Sequence, residues 1–303
     1  MKVPKKDAFS ISIKSFVLFS ILVFALLSVR AAAVDLPGDY ISFWKFEDGA
    51  GTTIFADEAG INPGSSSGDL CPTFIDAGGP DGSGAYEFDD NDDYIDLGSD
   101  SSLDDLGPLT VSTWIYYYDT EDGYGTDGRI VAKKTDNNTG SWGFTINDLG
   151  ANENTLAFWS AHDSGIMRRS NDNAFSGNTW HNVTITWDAN YVEESVKFYV
   201  DAVEVTGYKD FSIWSDNKGS DSTQNLYIGS DGTGNHTFDG IIDNVMIYNR
   251  QLSPAEIASV YNSETPEPAT GLMLLFGSCI FAAARRRIIE RPQRIRTITP
   301  GAT

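Results

Sequence analysis

The sequence predicts an all-β domain, an antiparallel two-sheet β-sandwich of jelly-roll type with one short helix at its C-terminal end. Three observations lead there. Short runs rich in β-branched and aromatic residues recur through the middle of the chain, each bounded by clusters of Gly, Asp, Asn and Ser. Their side chains alternate with period two, most clearly in Val183, Ile185 and Trp187 and again in Val196, Phe198 and Val200. No helix-period segment of any length stands in this region, and no internal repeat is present. Many evenly spaced strands separated by turn signals favour two packed antiparallel sheets.

The termini frame that domain. Lys2, Lys5, Lys6 and Lys14 precede an apolar run over residues 16–29, and Ala31-Ala32-Ala33 supplies the small residues a signal peptidase reads. Residues 1–33 are expected to be a secretory signal peptide; an uncleaved anchor is the alternative, because Arg30 stands close to the cleavage site. Strands are expected over 41–46, 85–88, 94–97, 110–118, 129–134, 142–146 and 155–161, then over 180–187, 196–200, 226–228 and 241–248. Ser253-Pro254-Ala255-Glu256 combines a capping serine, a proline at the first helical position and a capping-box glutamate, so a short helix should run to about Tyr261. The sandwich is thus assigned to 34–263. Residues 264–303 form a different unit: Thr265-Pro266-Glu267-Pro268, an apolar stretch over 269–284, and Arg285-Arg286-Arg287. At about 1.5 Å per residue the apolar stretch just crosses a thinned bilayer, with the arginines cytoplasmic and the domain outside.

Charge narrows the partners. Without its two ends the chain carries 10 basic and 41 acidic residues, a net charge of −31. Such a surface repels phosphate backbones, which argues against nucleic acid as a partner, and favours divalent cations. Abundant aromatics and repeated apolar runs separate it from an acidic disordered chain. Cys71 is the one cysteine of the exported part and Cys279 lies in the terminal apolar stretch, so no disulfide framework is expected.

The chemistry-bearing residues are few. Asp243 shares strand phase with Ile241, Val245 and Ile247, which aims its carboxylate at the apolar face. Such a group needs a counter-charge, a proton or a metal, and Arg250 is one candidate partner. Asp89-Asp90-Asn91-Asp92-Asp93 lacks the central glycine and terminal glutamate of an EF-hand loop and reads as a solvated hairpin tip. Glycosidase chemistry needs two carboxylates flanking the scissile bond, and the nearest approach to a Glu-x-Asp-x-x-Glu strand is Glu87 to Asp92, where an Asp-Asn run interrupts the strand. His181 lies in phase with Val183 and Ile185 and reads as a structural histidine; no Gly-x-Ser-x-Gly turn accompanies any histidine. The chain is therefore expected not to be an enzyme. Trp159, Tyr116 and Tyr118 are the candidate platforms for sugar rings, the alternative being that they cover the sheet or pack under loops.

Several segments carry a family resemblance. They are Phe43-Trp44-Lys45-Phe46-Glu47-Asp48-Gly49-Ala50-Gly51, Asp57-Glu58-Ala59-Gly60, Gly84-Ala85-Tyr86-Glu87-Phe88-Asp89, Thr110-Val111-Ser112-Thr113-Trp114-Ile115, Trp180-His181-Asn182-Val183, Phe198-Tyr199-Val200-Asp201 and Phe238 through Ser253. In this order they resemble the concanavalin-A-like, laminin-G-type (LamG) family, although Ala202 stands where a turn glycine is usual. The resemblance implies structural calcium held by Asp48, Asp57 and Asp243, with Glu47 as a further candidate, and a carbohydrate ligand such as an exopolysaccharide. An adhesive module that binds an envelope protein is the alternative, and a glycoside hydrolase of the same fold is a further one. The C-terminal unit resembles the PEP-CTERM sorting signal of Gram-negative bacteria, which implies an exosortase-type processing enzyme and delivery to the envelope or extracellular matrix. The basic stretch over 288–303 extends past the usual end of that signal.

Overall fold

The computed structural model describes residues 36–118, 128–133, 140–146, 154–161, 165–214, 219–233 and 236–264. The expected signal peptide and the expected membrane segment lie outside these residues. Among the described residues, no helix is long and apolar enough to cross a membrane.

With strands numbered along the chain, the first sheet contains β1 (Ser42–Trp44), β4 (Thr73–Ile75), β5 (Ala85–Asp89), β7 (Leu109–Tyr117), β12 (Trp180–Trp187), β13 (Val196–Val200), β14 (Val203–Glu204) and β17 (Asp239–Tyr248). Their order is β14-β13-β12-β7-β17-β5-β4, with β1 also paired to β17. The second sheet contains β2 (Ile54–Phe55), β3 (Gly64–Ser65), β6 (Ile95–Asp96), β8 (Arg129–Lys133), β9 (Trp142–Ile146), β10 (Leu156–Ser160), β11 (Gly165–Ser170), β15 (Tyr208–Trp214) and β16 (Leu226–Ile228). It runs β15-β11-β10-β9-β8-β16-β6-β3-β2. Rings from the two inner faces meet directly: Phe144 stacks on Phe198 at 6.3 Å and Phe158 tilts against Trp187 at 5.6 Å. Each ring of this size, fully buried, contributes about 1.5–3 kcal/mol over its exposed state.

The expected strands reappear with small shifts, and six further strands were not anticipated. β11 and β15 are the long ones. In β11 the alternation is broken by an arginine on the inner side. Arg168 is buried, donates to the carbonyls of Glu193 and Val196, and lies 3.4 Å from the centroid of the Tyr208 ring. A charged residue can occupy an inward position when fixed carbonyls and an aromatic face replace its water.

Helix α1 (Pro254–Glu264) has the predicted cap. The Ser253 N–H donates to Glu256 Oε2 at 2.8 Å, and the Glu256 N–H returns to Ser253 Oγ at 3.4 Å. The helix packs Ile257 and Val260 on the outer face of the first sheet against Phe43, Met246 and Tyr248. Arg250 holds its start by pairing with both Asp39 and Glu256.

Strand β17 corrects one reading. Its register against β7 passes from Asp243↔Trp114 to Met246↔Ser112, so one residue is extra, and Asn244 takes a left-handed φ of 53°. Beyond the bulge Val245 and Ile247 enter the inner core. Asp243 stays in phase with Ile241, on the face of Trp114, and does not share the face of Val245 and Ile247 as simple alternation required. It is nevertheless fully buried. Arg250 is committed to Asp39 and Glu256, and the Asp243 carboxylate accepts instead from Asn244 Nδ2 and Ser83 Oγ, at 3.0 and 3.3 Å.

The sandwich end carries a buried ion pair no sequence pattern announced. Lys133 is 0% exposed and donates to the Leu103 carbonyl at 2.8 Å and to Asp104 at 2.6 Å, with Asp221 at 3.1 Å. Asp221 Oδ1 also accepts the Asp105 N–H at 2.7 Å, so one ammonium pins two loops to the sheet. Truncating one partner of a buried pair strands the others in a dry site. Lys133→Met is expected to lower unfolding free energy by about 3 kcal/mol, read as a shifted urea midpoint. An unchanged midpoint would show the pair contributes nothing.

Candidate functional site

The predicted sugar platforms separate onto two sheets. Tyr116 of β7 faces outward and lies edge-on to Tyr118 at 5.7 Å. It also meets Trp180 of β12 at 5.9 Å, its direct cross-strand partner. On its other side Tyr116 pairs with Ile241, and Ile241 pairs with Glu87 of β5. A row therefore crosses the outer face, from Glu87 through Ile241 and Tyr116 to Trp180, three strand spacings or about 14 Å long. The Tyr118 hydroxyl donates to Glu87 Oε1 at 2.6 Å, tying the carboxylate to the rings. Burial, then the Glu87 hydrogen bond and charge, push the Tyr118 phenol above its ordinary range, so it stays a donor at physiological pH. Trp180 and Glu87 join the expected Tyr116 and Tyr118 through strand pairing. Trp180 was legible as a residue out of phase with Val183, whereas Glu87 joins only through register.

Trp159 stands on β10, in the other sheet. Its indole lies across Gly143 of β9, where an added Cβ would meet ring atoms at 2.8 Å, and the Arg129 guanidinium sits 5.6 Å from the ring centroid. Only a glycine lets the ring lie that close to the neighbouring strand. Trp159 and the Tyr116–Trp180 row are thus two separate aromatic features.

The predicted metal ligands have distinct surroundings. Both Asp57 oxygens are engaged: Oδ1 accepts the N–H groups of Phe43 and Ala59, at 2.8 and 3.1 Å, and Oδ2 those of Ile61 and Asn62, at 3.2 and 3.0 Å. Four amides saturate a carboxylate's usual acceptor capacity, so Asp57 organises the loop after β1 as an anion in a nest. Asp48 Oδ1 accepts the Ala56 N–H at 3.0 Å. Asp243 faces the turn between β4 and β5. A Cβ on Gly79 would lie 2.8 Å from Asp243 Oδ2 and 3.1 Å from the Gly84 carbonyl oxygen, and Glu47 Oε1 accepts the Gly84 N–H at 3.1 Å. Oxygen donors from Asp243, Ser83, Gly84 and Glu47 therefore gather at one glycine turn, and the set is of the hard type that calcium takes.

Among the described residues, the acidic group whose ligand atoms all lie within 4.8 Å of one another is Asp89, Asp92 and Asp93. The hairpin tip is not wholly solvated as expected: Asp93 is 4% exposed and accepts the Asp89 N–H at 3.1 Å. Asp90, with φ at 60°, follows the last residue of β5. His181 is held on both sides. Its Nδ1 lies 2.8 Å from Asp201 Oδ2 and its Nε2 3.0 Å from Ser176 Oγ. His162, which the sequence places in a loop-like context without a nucleophile elbow, lies outside the described residues.

A model of the concanavalin A-like lectin/glucanases superfamily, of laminin-G type, matches residues 89–258. The chain belongs to this superfamily. The PEP-CTERM protein-sorting motif matches residues 264–287, marking the protein for export and sorting to the cell envelope. No curated protein matches the chain. Among solved structures, the binding domain of Paraclostridial mosquitocidal protein 1 is similar in fold, with a TM-score of 0.55 at 19% identity over 76% of this chain and 53% of that one. The botulinum neurotoxin serotype D binding domain is similar with a TM-score of 0.52 at 16% identity, over 75% and 52%. The superfamily member described here spans about half the length of each of these binding domains, and the likeness concerns the sandwich fold alone.

Burial first, then the Asp89 charge, raise the Asp93 carboxyl to about 6. A carboxyl raised in the folded state costs stability once ionised. That cost is absent below the ordinary carboxylate range and complete above pH 6. Asp93→Asn is expected to raise stability at pH 8 by about 1–2 kcal/mol and to change it little at pH 3.5. Thermal melts at the two pH values decide it; an equal effect at both would remove the ionisation argument.

Proposed function

We propose that this exported, envelope-sorted protein binds carbohydrate through the outer face of its first sheet, without cleaving it. The observation that carries the reading is the row of Tyr116, Trp180 and Tyr118 with the Glu87 carboxylate at one end. Ring faces receive the apolar CH faces of sugars, and a carboxylate fixed by a phenol accepts from sugar hydroxyls. Membership of a lectin/glucanase superfamily supports the ligand class. The reading of no cleavage rests on the broken strand: Asp90 takes a left-handed φ of 60° between Asp89 and Asp92, so these carboxylates do not follow Glu87 along one extended strand. An exopolysaccharide of the envelope or matrix is the expected ligand, and an exosortase-type enzyme the expected processing partner. Binding to a glycan array, followed by titration of the best hit, tests this. Trp180→Ala and Tyr116→Ala should each weaken binding about tenfold, the equivalent of about 1.4 kcal/mol. Loss in Trp159→Ala with the two others unaffected would move the site to the second sheet. Capture of an envelope protein with no glycan signal would favour the adhesive alternative.

Calcium is proposed as a structural ion at the glycine turn facing Asp243. Asp243 and Glu47 would supply carboxylate oxygens, and backbone carbonyls of the Gly79–Gly84 turn would complete the shell. Asp57 then acts one step away, by shaping the loop that carries Glu47 and Asp48. An ion there would neutralise a buried carboxylate and staple β17 to the β4–β5 turn. At a calcium concentration 100 times its Kd, stability should rise by about 2.7 kcal/mol over protein in chelator. Asp243→Asn should abolish that difference. Identical melting temperatures with calcium and chelator would sink the proposal.

A further inference from the structure

Ser176, His181 and Asp201 stand in line at the edge of the first sheet, and neither glycan nor calcium binding uses them. Ser176 is exposed on the segment before β12, its Oγ 3.0 Å from His181 Nε2. The imidazole packs edge-on against the buried Phe175 ring at 6.1 Å, and its Nδ1 lies 2.8 Å from Asp201 Oδ2. Asp201 is itself held: Oδ1 accepts the Asn182 N–H at 3.0 Å, and its own N–H donates to the Asn182 carbonyl at 2.8 Å. It sits on the two-residue turn between β13 and β14, with left-handed φ of 50° at Asp201 and 63° at Ala202. A non-glycine pair in that conformation persists only where surrounding contacts hold it.

We propose that these residues form an acyl-transfer site, with Ser176 the nucleophile, His181 its general base and Asp201 the positioning residue, acting on small carboxylic esters. The hydrogen bonds set the tautomer: Nδ1–H donates to Asp201, leaving the Nε2 lone pair to accept the Ser176 hydroxyl proton. Ser176 Oγ attacks the ester carbonyl carbon and a C–O bond forms as its proton passes to Nε2. The tetrahedral adduct collapses, the ester C–O bond breaks, and the leaving alkoxide takes the proton from Nε2. Water, deprotonated by the same nitrogen, then attacks the acyl-serine and releases the carboxylic acid with the serine restored. Exposure of Ser176 lets a small ester reach the nucleophile from solvent. This activity does not depend on the glycan row, and it would revise the expectation of a non-catalytic chain.

The test treats the full-length protein with a fluorophosphonate reporter and, separately, with p-nitrophenyl acetate. Peptide mapping should place a single adduct on Ser176 in folded protein and none after denaturation. Ser176→Ala should remove the adduct and lower ester hydrolysis at least about 100-fold without moving the melting temperature, since the side chain is exposed. His181→Gln should slow labelling comparably. Asp201→Asn should lower kcat with KM unchanged, whereas a purely structural role would appear in the melting temperature alone. No adduct on folded protein, or hydrolysis retained in Ser176→Ala, overturns the proposal. Neither readout requires a glycan, so failure here leaves the carbohydrate reading to its own test.

Discussion

The bulge at Asn244 is the constraint around which the rest of the sandwich is arranged. β17 is bonded to β7 along one side and, on the other, first to β5 and then to β1. A strand of unbroken alternation would present one set of side chains to the core for its whole length. The extra residue shifts the phase, so Ile242 serves the core before the bulge while Val245 and Ile247 serve it afterwards. Met246 and Tyr248 are thereby turned outward, where α1 needs an apolar seat. Asp243 is left where the edge partner changes from β5 to β1 and the β4–β5 turn closes in. One asparagine, among the residues that tolerate left-handed backbone best, thus sets the helix dock and places the buried carboxylate.

Several carboxylates of this acidic protein serve as structural anions. Asp57 gathers four amides, Asp201 holds a histidine and an amide, Glu87 accepts a phenol, and Asp104 and Asp221 close around one ammonium. Each replaces hydration with oriented donors, which is what allows burial. The same device explains how a domain with no disulfide among its described residues keeps long connections in place.

The sequence announced the long strands because β7 and β12 alternate without interruption, and it announced α1 because Ser253 and Glu256 form a local signal. It concealed β11, where Arg168 takes an inward position that makes sense only against carbonyls contributed from another strand. It concealed the phase of Asp243 because a bulge is a relation between two strands, and Asn244 alone does not declare one. The aromatic site was half legible: Tyr116 and Tyr118 were found as neighbours on one strand, whereas Trp180 and Glu87 join them only through cross-strand register. Ser176 and Asp201 lie 5 and 20 positions from His181, and nothing local links them. Asp57 stands in an acidic turn, and three of its four amides, from Ala59, Ile61 and Asn62, are local; only the Phe43 amide, which ties the turn to β1, depends on the fold.

The seating of α1 has a mechanical consequence for a protein whose sorting signal begins at the end of that helix. Load entering from residue 264 reaches α1 before any strand. The helix is held by Ile257 and Val260, by Tyr261 stacked on Trp114 at 5.4 Å, and by the ion pair between Arg250 and Glu256. Beyond it lies β17, whose hydrogen bonds to β7, β5 and β1 run along its length and must share the force. A pull applied at residue 264 would therefore meet the seat of the helix before it met the hydrogen bonds of β17.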